Sequence, residues 1–439
     1  MTESISLPPA RPGIGVDFLV WALEIPLRPL QALMVAPALL FLAMLTAMLL
    51  RNQNVPFYEI DRVAFGLVVM GVVGRGMVLR QRLLVVERMT WPMLGLIGLA
   101  LATVIRQPFD TETWSLLASK FIVPFVLFHV AALVFSEEGK FRQFEIFTLL
   151  VLAYLSFIAI AFLLGARSLI FPRFILNESL GFHADRARGP FLQAVANGVS
   201  LNILGLVALH AYQRGRVRGL KIAVLLASVP VAILATMTRA VWLSFAGTVV
   251  MLIFLSQNHR LRRAAVGLVL VAGTGFIILS SHELRVTLSD RLEERGPVEF
   301  RAAVYAGSWQ MFLDRPLIGW GFHQMPADLP RYVSGYPDKV LYPHNTYLEL
   351  LVEQGVVGFA LYLWLMWEMW RLGRGAIPAT EKSGFLDTRF HRLWQILLAV
   401  YWVNAALVAM SYQFVNALLF TMAGMLAAQR RRAERSSSC

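Results

Sequence analysis

Charge is what this chain has least of. Of its 439 residues, 15% are Asp, Glu, Lys or Arg and 57% are hydrophobic. Soluble domains average roughly 25% charged and 45–50% apolar residues, so too little charge is present to cover a core of this size with a polar skin. Cysteine is almost absent as well. Cys439 stands alone at the end of the sequence, which excludes an intramolecular disulfide. Neither a C-x-x-C pair nor a zinc-ligand cluster occurs. D-x-D, H-E-x-x-H, a Walker loop and G-x-S-x-G are also missing, so no metal, ATP or other cofactor is expected. Acidic residues number 27 against 40 basic ones, a net charge of +13. On a soluble protein that excess would suggest nucleic acid, but no helix-turn-helix or RNA-binding signature accompanies it.

What the chain does have is apolar length. Runs near 30–50, 60–79, 90–106, 114–135, 143–165, 191–212, 219–236, 240–256, 262–280, 346–370, 393–411 and 413–429 approach the ~20 residues that cross a bilayer. The expected fold is an all-α integral membrane protein of about twelve transmembrane helices. The stretch 16–28 is too short to span and is expected in the interface or capping the bundle. The opening MTESISLPPARPG has no basic stretch leading into an apolar core, so the first span is expected to act as the insertion signal. No internal repeat stands out, and no matching pair of interrupted helices suggests an inverted-repeat transporter.

Loop charge then assigns the sides. Arg80, Arg82 and Arg88, then Lys140 and Arg142, Arg214 to Arg218, Arg260 to Arg263, Arg371 to Arg392 and the tail from Arg430 fall in alternate loops. Those loops, and both termini, are expected in the cytoplasm. Two longer segments, 166–190 and 281–345, then lie outside, the second with a helical pattern over 299–313. The division expected is a bundle of about nine helices over 1–280, an outer loop with amphipathic helices over 281–345, further spans over 346–429 and a basic tail over 430–439. Both outer segments break the charge rule by being rich in arginine. An anionic ligand such as a diphosphate would require that; lipid headgroups, or pairing with Glu283, Asp290, Glu293 and Glu294, would also account for it.

Four constellations could carry chemistry. The strongest is Pro343-His344-Asn345-Thr346-Tyr347-Leu348-Glu349. Thr346 and Glu349 have capping-box spacing, which starts a helix about one residue after Thr346 and leaves His344 just ahead of its positive end. There a neutral imidazole is favoured and can accept a proton. Glu349 and Glu353 share a helix face; either could act as a base or orient an arginine, with Glu349 capping its own helix and Glu353 pairing in the bundle as the plainer reading. Arg239 occupies a tight outer turn, where it either snorkels to headgroups or serves a site. Arg186-Ala187-Arg188-Gly189-Pro190-Phe191 reads as a helix start, with Arg188 reaching across the helix's anion-attracting end and Asn197 needing a partner inside. Arg301 heads the amphipathic segment of the long loop.

At these residues the sequence resembles the O-antigen ligase family of bacterial membrane glycosyltransferases. The resemblance rests on Arg188-Gly189-Pro190-Phe191 with Asn197, on Thr238-Arg239 (the family usually has Ser-Arg), on Arg301 before Asp314-Arg315-Pro316-Leu317-Ile318-Gly319-Trp320-Gly321, and on Pro343-His344-Asn345 with Leu348-Glu349 and Gly355-Val356-Val357-Gly358. It covers about 186 to 358. O-antigen polymerases and pilin-type oligosaccharyltransferases look similar over the same region. The resemblance implies a GT-C-like fold with a periplasmic loop in the inner membrane. It also implies a polysaccharide donor on undecaprenyl diphosphate and a lipid A core acceptor. His344, Arg239 and Arg301 would be catalytic, with Arg188, Arg186, Asn345 and Glu349 around the substrate. Two rivals are a polymerase using a second lipid-linked glycan as acceptor, and a transporter or flippase for a lipid-linked substrate, which should show polar or broken helices along a through-path.

Overall fold

The computed structural model describes residues 36–51, 59–78, 80, 87–255, 296–336, 341–378, 381 and 383–437, with isolated positions at 266, 267, 270 and 274. The stretch 16–28 and most of the expected span at 262–280 lie outside the described residues. Within them every regular element is helical. The main helices are α1 (Pro37–Leu49), α2 (Ile60–Val78), α3 (Thr90–Val104), α4 (Thr111–Val134), α5 (Glu138–Leu163), α6 (Ala194–Gln213), α7 (Leu220–Ala235), α8 (Arg239–Leu255), α9 (Gly296–Asp314), α10 (Thr346–Leu372), α11 (Thr388–Leu407) and α12 (Gln413–Ser437). Four of them, α4, α5, α6 and α10, are long and apolar enough to cross a membrane, and α1, α3, α7 and α8 are shorter apolar helices. The chain is a multi-pass membrane protein.

α12 lies along the second half of α4, α5 against α6 and α7, α10 against α3, and α8 against α11. One apolar cluster runs through most of this bundle, filled by Phe128, Phe135, Phe144, Trp394 and Phe414. Polar groups inside it pair across helices. The Asn202 amide donates to Thr248 Oγ1 at 2.9 Å, and the Asn404 amide donates to Ser244 Oγ at 2.6 Å, joining α6, α8 and α11. Small interhelical bonds of this kind hold helices together where lipid offers no hydrophobic gain.

Contacts between helix ends fall into two sets. At one end Glu138 accepts from Arg214 at 2.6 Å, Arg216 at 3.0 Å and the Phe385 amide at 3.0 Å. His210 meets Asp387 at 3.0 Å and Arg432 meets Glu381 at 2.6 Å at the same end. At the other, Asp61 is paired with Arg51 at 3.6 Å and accepts from Gln413 at 3.2 Å. There too the Ala187 amide bonds Ala235 O at 3.1 Å, and Thr346 Oγ1 accepts from the Met410 amide at 2.9 Å. The helical pattern expected over 299–313 is α9, which packs on α10 and builds a second small apolar cluster from Val304, Met311, Met325, Leu329 and Val352.

Two irregular backbone turns interrupt the spans. α4 carries a π turn over Ala118–Ile122. α10 is broken at Gly355, where φ is 65° and ψ −166°.

Candidate active site

The break in α10 is filled by the loop that follows α9. In a continuous helix the amides of Val356 and Val357 would donate to the carbonyls of Val352 and Glu353. Here those two bonds are opened and each half is bonded to the loop. Val352 O accepts from Trp320 N and Glu353 O from Gly321 N, both at 2.9 Å, while Val356 N donates to Pro316 O at 2.8 Å and Val357 N to Leu317 O at 3.2 Å. All four helix groups are therefore satisfied, as backbone at membrane depth must be. Glycine is required on both sides of this clasp. A Cβ on Gly355 would stand 2.3 Å from Leu317 O, and one on Gly319 would stand 2.5 Å from the Glu353 carbonyl carbon. The Pro316-to-Gly321 and Gly355-to-Gly358 motifs of the sequence are thus two halves of one structure.

The clasp places charged groups inside the bundle. The His323 amide, two residues past Gly321, donates to Glu353 Oε1 at 3.0 Å. Glu349, one turn earlier, forms a direct ion pair with Lys120 from the π turn of α4. Both carboxylates are buried, at 6% and 4% exposure. Beneath them lies a cavity lined by Lys120, Glu349, Glu353, Tyr362, Tyr401 and Asn416 among apolar side chains. The Tyr401 hydroxyl donates to Asn416 at 2.8 Å, while the buried Tyr362 hydroxyl has no hydrogen-bond partner.

The start of α10 differs from the capping box expected. The cap is Asn345, whose Oδ1 accepts from the amides of Tyr347 at 3.0 Å and Leu348 at 3.2 Å. Asn is a better cap than Thr, and the helix begins at Thr346 itself. Thr346 instead ties the α11–α12 connection, donating to Val408 O at 3.2 Å. Glu349 is left to pair with Lys120 and does not cap. His344, just ahead of the cap, has φ 44° and packs edge-on against Tyr342 at 5.7 Å. The residue is exposed. Desolvation lowers its pKa below the ordinary value of 6.5, the Arg301 guanidinium lowers it further, and the Glu349 carboxylate opposes both; His183 adds a smaller depression. The neutral imidazole anticipated from the sequence is favoured, for reasons of crowding and neighbouring charge. His323 is likewise pushed down, by burial first and then by Lys120. Burial and the carboxylates of Glu349 and Glu353 push the Tyr342 phenol well above its usual range.

Of the residues singled out in the sequence, His344, Arg301, Asn345 and Glu349 come together here. Arg239 is exposed at the first position of α8, after the Thr236–Thr238 turn. The backbone bond from Ala187 to Ala235 brings the Arg186 segment beside that turn, and Arg186 lies 3.6 Å from Asp185. Arg188 is placed otherwise than expected. Gly189–Phe191 form a separate 3-10 turn, the chain reverses at Leu192 with φ 54°, and α6 starts only at Ala194. The Arg188 guanidinium, 1% exposed, points back into its own loop. It donates to Ile175 O at 2.9 and 3.0 Å, to Asn177 O at 2.5 Å and to Leu180 O. Asn197 finds its partner in Ala187 O at 2.8 Å. Lys120 and His323 escaped the sequence reading. A lone lysine inside an otherwise apolar span was a usable signal, because intramembrane charge marks function by default.

An all-helical membrane protein with a histidine and an arginine at one face, over a buried acid–ammonium cluster, is equipped for proton transfer beside an anionic group. Residues 222–363 match the family model described as O-antigen ligase. That segment, about a third of the chain, is similar to the O-antigen ligase family, whose general activity is glycosyl transfer of the ligase or polymerase type. The family's substrates are in general a lipid-linked glycan and lipid A core. The matched segment takes in Arg239, Arg301, the clasp, His344, Glu349 and Glu353. No curated protein matches the chain.

Proposed function

We propose that this protein is an O-antigen ligase of the bacterial inner membrane, with about twelve spans in a GT-C-like arrangement. It transfers polysaccharide from undecaprenyl diphosphate to a sugar hydroxyl of lipid A core on the periplasmic face. The observation that carries the reading is the setting of His344 beside Arg301 within the family-matched segment.

The acceptor hydroxyl has a pKa far above neutrality, so its proton must leave as the new bond forms. His344, kept neutral by its surroundings, accepts it, a contribution worth ~10²–10⁴-fold. The oxygen attacks the anomeric carbon and the bond to the diphosphate breaks. The diphosphate leaves already anionic, so it requires stabilisation of charge and no proton. Arg301 and Arg239, both exposed, provide fork-shaped donors suited to phosphate oxygens. Arg186, Asn345 and Glu349 border the substrate. A single displacement inverts the anomeric centre. A broken helix is what a transporter reading would require, but the opened backbone of α10 is taken up by its own loop, which favours a fixed site.

The test is reconstitution in proteoliposomes with lipid-linked polysaccharide and lipid A core, without ATP or added metal. A conjugate with inverted linkage is expected, and His344→Ala should abolish it while leaving the protein folded. Wild-type transfer by that variant, or a retained linkage, overturns the scheme. Lengthening of the lipid-linked glycan in the absence of lipid A core would identify a polymerase instead.

A further inference from the structure

We propose that this protein binds an anionic phospholipid at the end of the bundle expected in the cytoplasm, with the phosphodiester in a pocket between α10 and α12 and an acyl chain along the outer face of α10. The inference does not depend on the transfer reaction.

The pocket has a volume of about 440 Å³ and is lined by Trp367, Arg371 and Arg374 at the end of α10 and by Arg430 and Glu434 of α12. That is room for a headgroup, towards the small end of ligand sites. α10 closes at Leu372. The turn after it carries the Arg374 amide back to Arg371 O at 3.0 Å and the Gly375 amide to Leu372 O at 3.2 Å. This turn lies along the Arg430 stem: a Cβ on Gly375 would stand 3.8 Å from both Cβ and Cδ of Arg430. The end of one helix is thereby held against the basic stretch of another.

Three guanidinium groups line the pocket, and two of them have a carboxylate partner among the described residues. Arg371 Nη1 donates to Glu368 at 3.3 Å and Arg430 Nε to Glu434 at 3.0 Å. Each of these bonds engages a single nitrogen of a group that carries five N–H donors. Arg374 is exposed and is held instead by an aromatic face, its Cζ 5.6 Å from the centre of the Trp370 ring. Trp370 rests in turn on Trp402 of α11, with ring centres 5.5 Å apart. The lining therefore carries one positive charge beyond its ion pairs, on donors whose geometry suits phosphate oxygens. A phosphodiester brings one negative charge.

The adjoining surface favours a lipid over a soluble phosphate. Leu363, Trp364 and Trp367 are exposed on α10, a helix long and apolar enough to cross a membrane. Steps of three and four residues continue from them to Arg371 and Arg374, so they lie on one helix face that runs into the pocket. From Leu363 to Arg371 this face extends roughly 12 Å, most of the ~15 Å of hydrocarbon in one leaflet. Tryptophan belongs at the membrane–water boundary, and basic pockets between spanning helices on the cytoplasmic side take anionic headgroups. A zwitterionic headgroup would bring a second cation to a pocket already in positive excess.

Native mass spectrometry of the purified full-length protein in neutral detergent tests this, with phosphatidylglycerol, phosphatidylcholine and glycerol 3-phosphate as probes. The first phosphatidylglycerol is expected to bind about fivefold tighter than phosphatidylcholine or more, the worth of one charge near a membrane surface, and glycerol 3-phosphate is expected to bind far more weakly than either. Arg374→Gln should weaken phosphatidylglycerol about fivefold, and Trp367→Ala should weaken it without any change of charge. Arg142→Gln removes an equal charge from an exposed position at the same end, near the start of α5, and should leave the affinity as it was. All three substitutions fall on exposed side chains, and a melting curve for each variant checks that it is folded. Equal affinity for the two lipids, or unchanged binding in Arg374→Gln, overturns the proposal. So does an equal loss in Arg142→Gln, which would reduce the attraction to net charge. Glycerol 3-phosphate binding as tightly as phosphatidylglycerol would give the pocket to a soluble phosphate and overturn the lipid assignment.

Discussion

Replacing Gly355 by alanine should cost this protein about 1–3 kcal/mol, although it adds a single methyl group. Two effects combine. The backbone at φ 65° and ψ −166° lies in a region open essentially to glycine, where other residues are strained by ~1–3 kcal/mol. The new Cβ would also stand 2.3 Å from Leu317 O and 2.4 Å from the carbonyl carbon, and backbone cannot swing aside like a flexible side chain. Relief requires the loop to withdraw. The four clasp bonds would be lost and α10 could re-form two of its own, from Val356 to Val352 and from Val357 to Glu353. Re-forming the helix also removes the strained backbone, so by that route the cost is the net loss of two bonds at ~0.5–1.5 kcal/mol each, about 1–3 kcal/mol. Gly98→Ala in α3 is the matched control. A Cβ there meets nothing within 4 Å, and alanine should be neutral or stabilising by up to ~1 kcal/mol. Thermal unfolding of the two purified variants in detergent measures the difference. Gly355→Ala should melt several degrees below wild type and lose transfer activity, since the withdrawn loop takes the His323 amide from Glu353. Equal melting temperatures for the two variants would show that the helix closes without penalty and that the clasp holds nothing together.

Arg188→Met should remove the guanidinium donor from the carbonyls of Ile175 and Leu180, at ~1–3 kcal/mol each, and leave Asn177 O with only the Leu180 amide. The expected result is loss of folded protein in a thermal assay, and Arg188→Lys should recover little because one ammonium cannot replace the fork; a stable Arg188→Met enzyme with only a raised donor KM would refute the structural role. Arg301→Ala should reduce kcat by roughly 10²–10³. Because Arg301 holds the His344 pKa down, its removal should also shift the acid limb to higher pH. An acid limb that stays put would mean that Arg301 does not act on His344.

Much of this was legible in the chain. Apolar runs gave most helices to within a few residues, because a membrane helix must satisfy its own backbone and therefore shows itself as length. Loop arginines suggested that the segments around Arg214 and Lys140 share one end, and the bonds from Arg214 and Arg216 to Glu138 bring those loops together. His344 with Arg301 and Glu349 was found because cations on an outer face oppose the insertion rule. Local spacing misled at the cap, where a permitted Thr-x-x-Glu box gave way to the better cap one residue earlier. It misled again at Arg188, whose motif reads as a helix start while the side chain folds back onto carbonyls eight to thirteen residues upstream. The Lys120–Glu349 pair joins positions 229 residues apart, and no spacing rule reaches that far. Nor could the clasp be read from sequence, since its bonds are between main-chain atoms and the side chains reveal only the glycines that make room.

The splicing of the loop into α10 also decides what can be exchanged between related proteins. A chimaera that takes the loop around Pro316–Gly321 from one parent and the membrane helix around Val352–Val357 from another would put two amides and two carbonyls out of register inside the bilayer, where water cannot repair the mismatch. The two stretches form a single unit of inheritance despite the 30 residues between them. A working exchange moves both together.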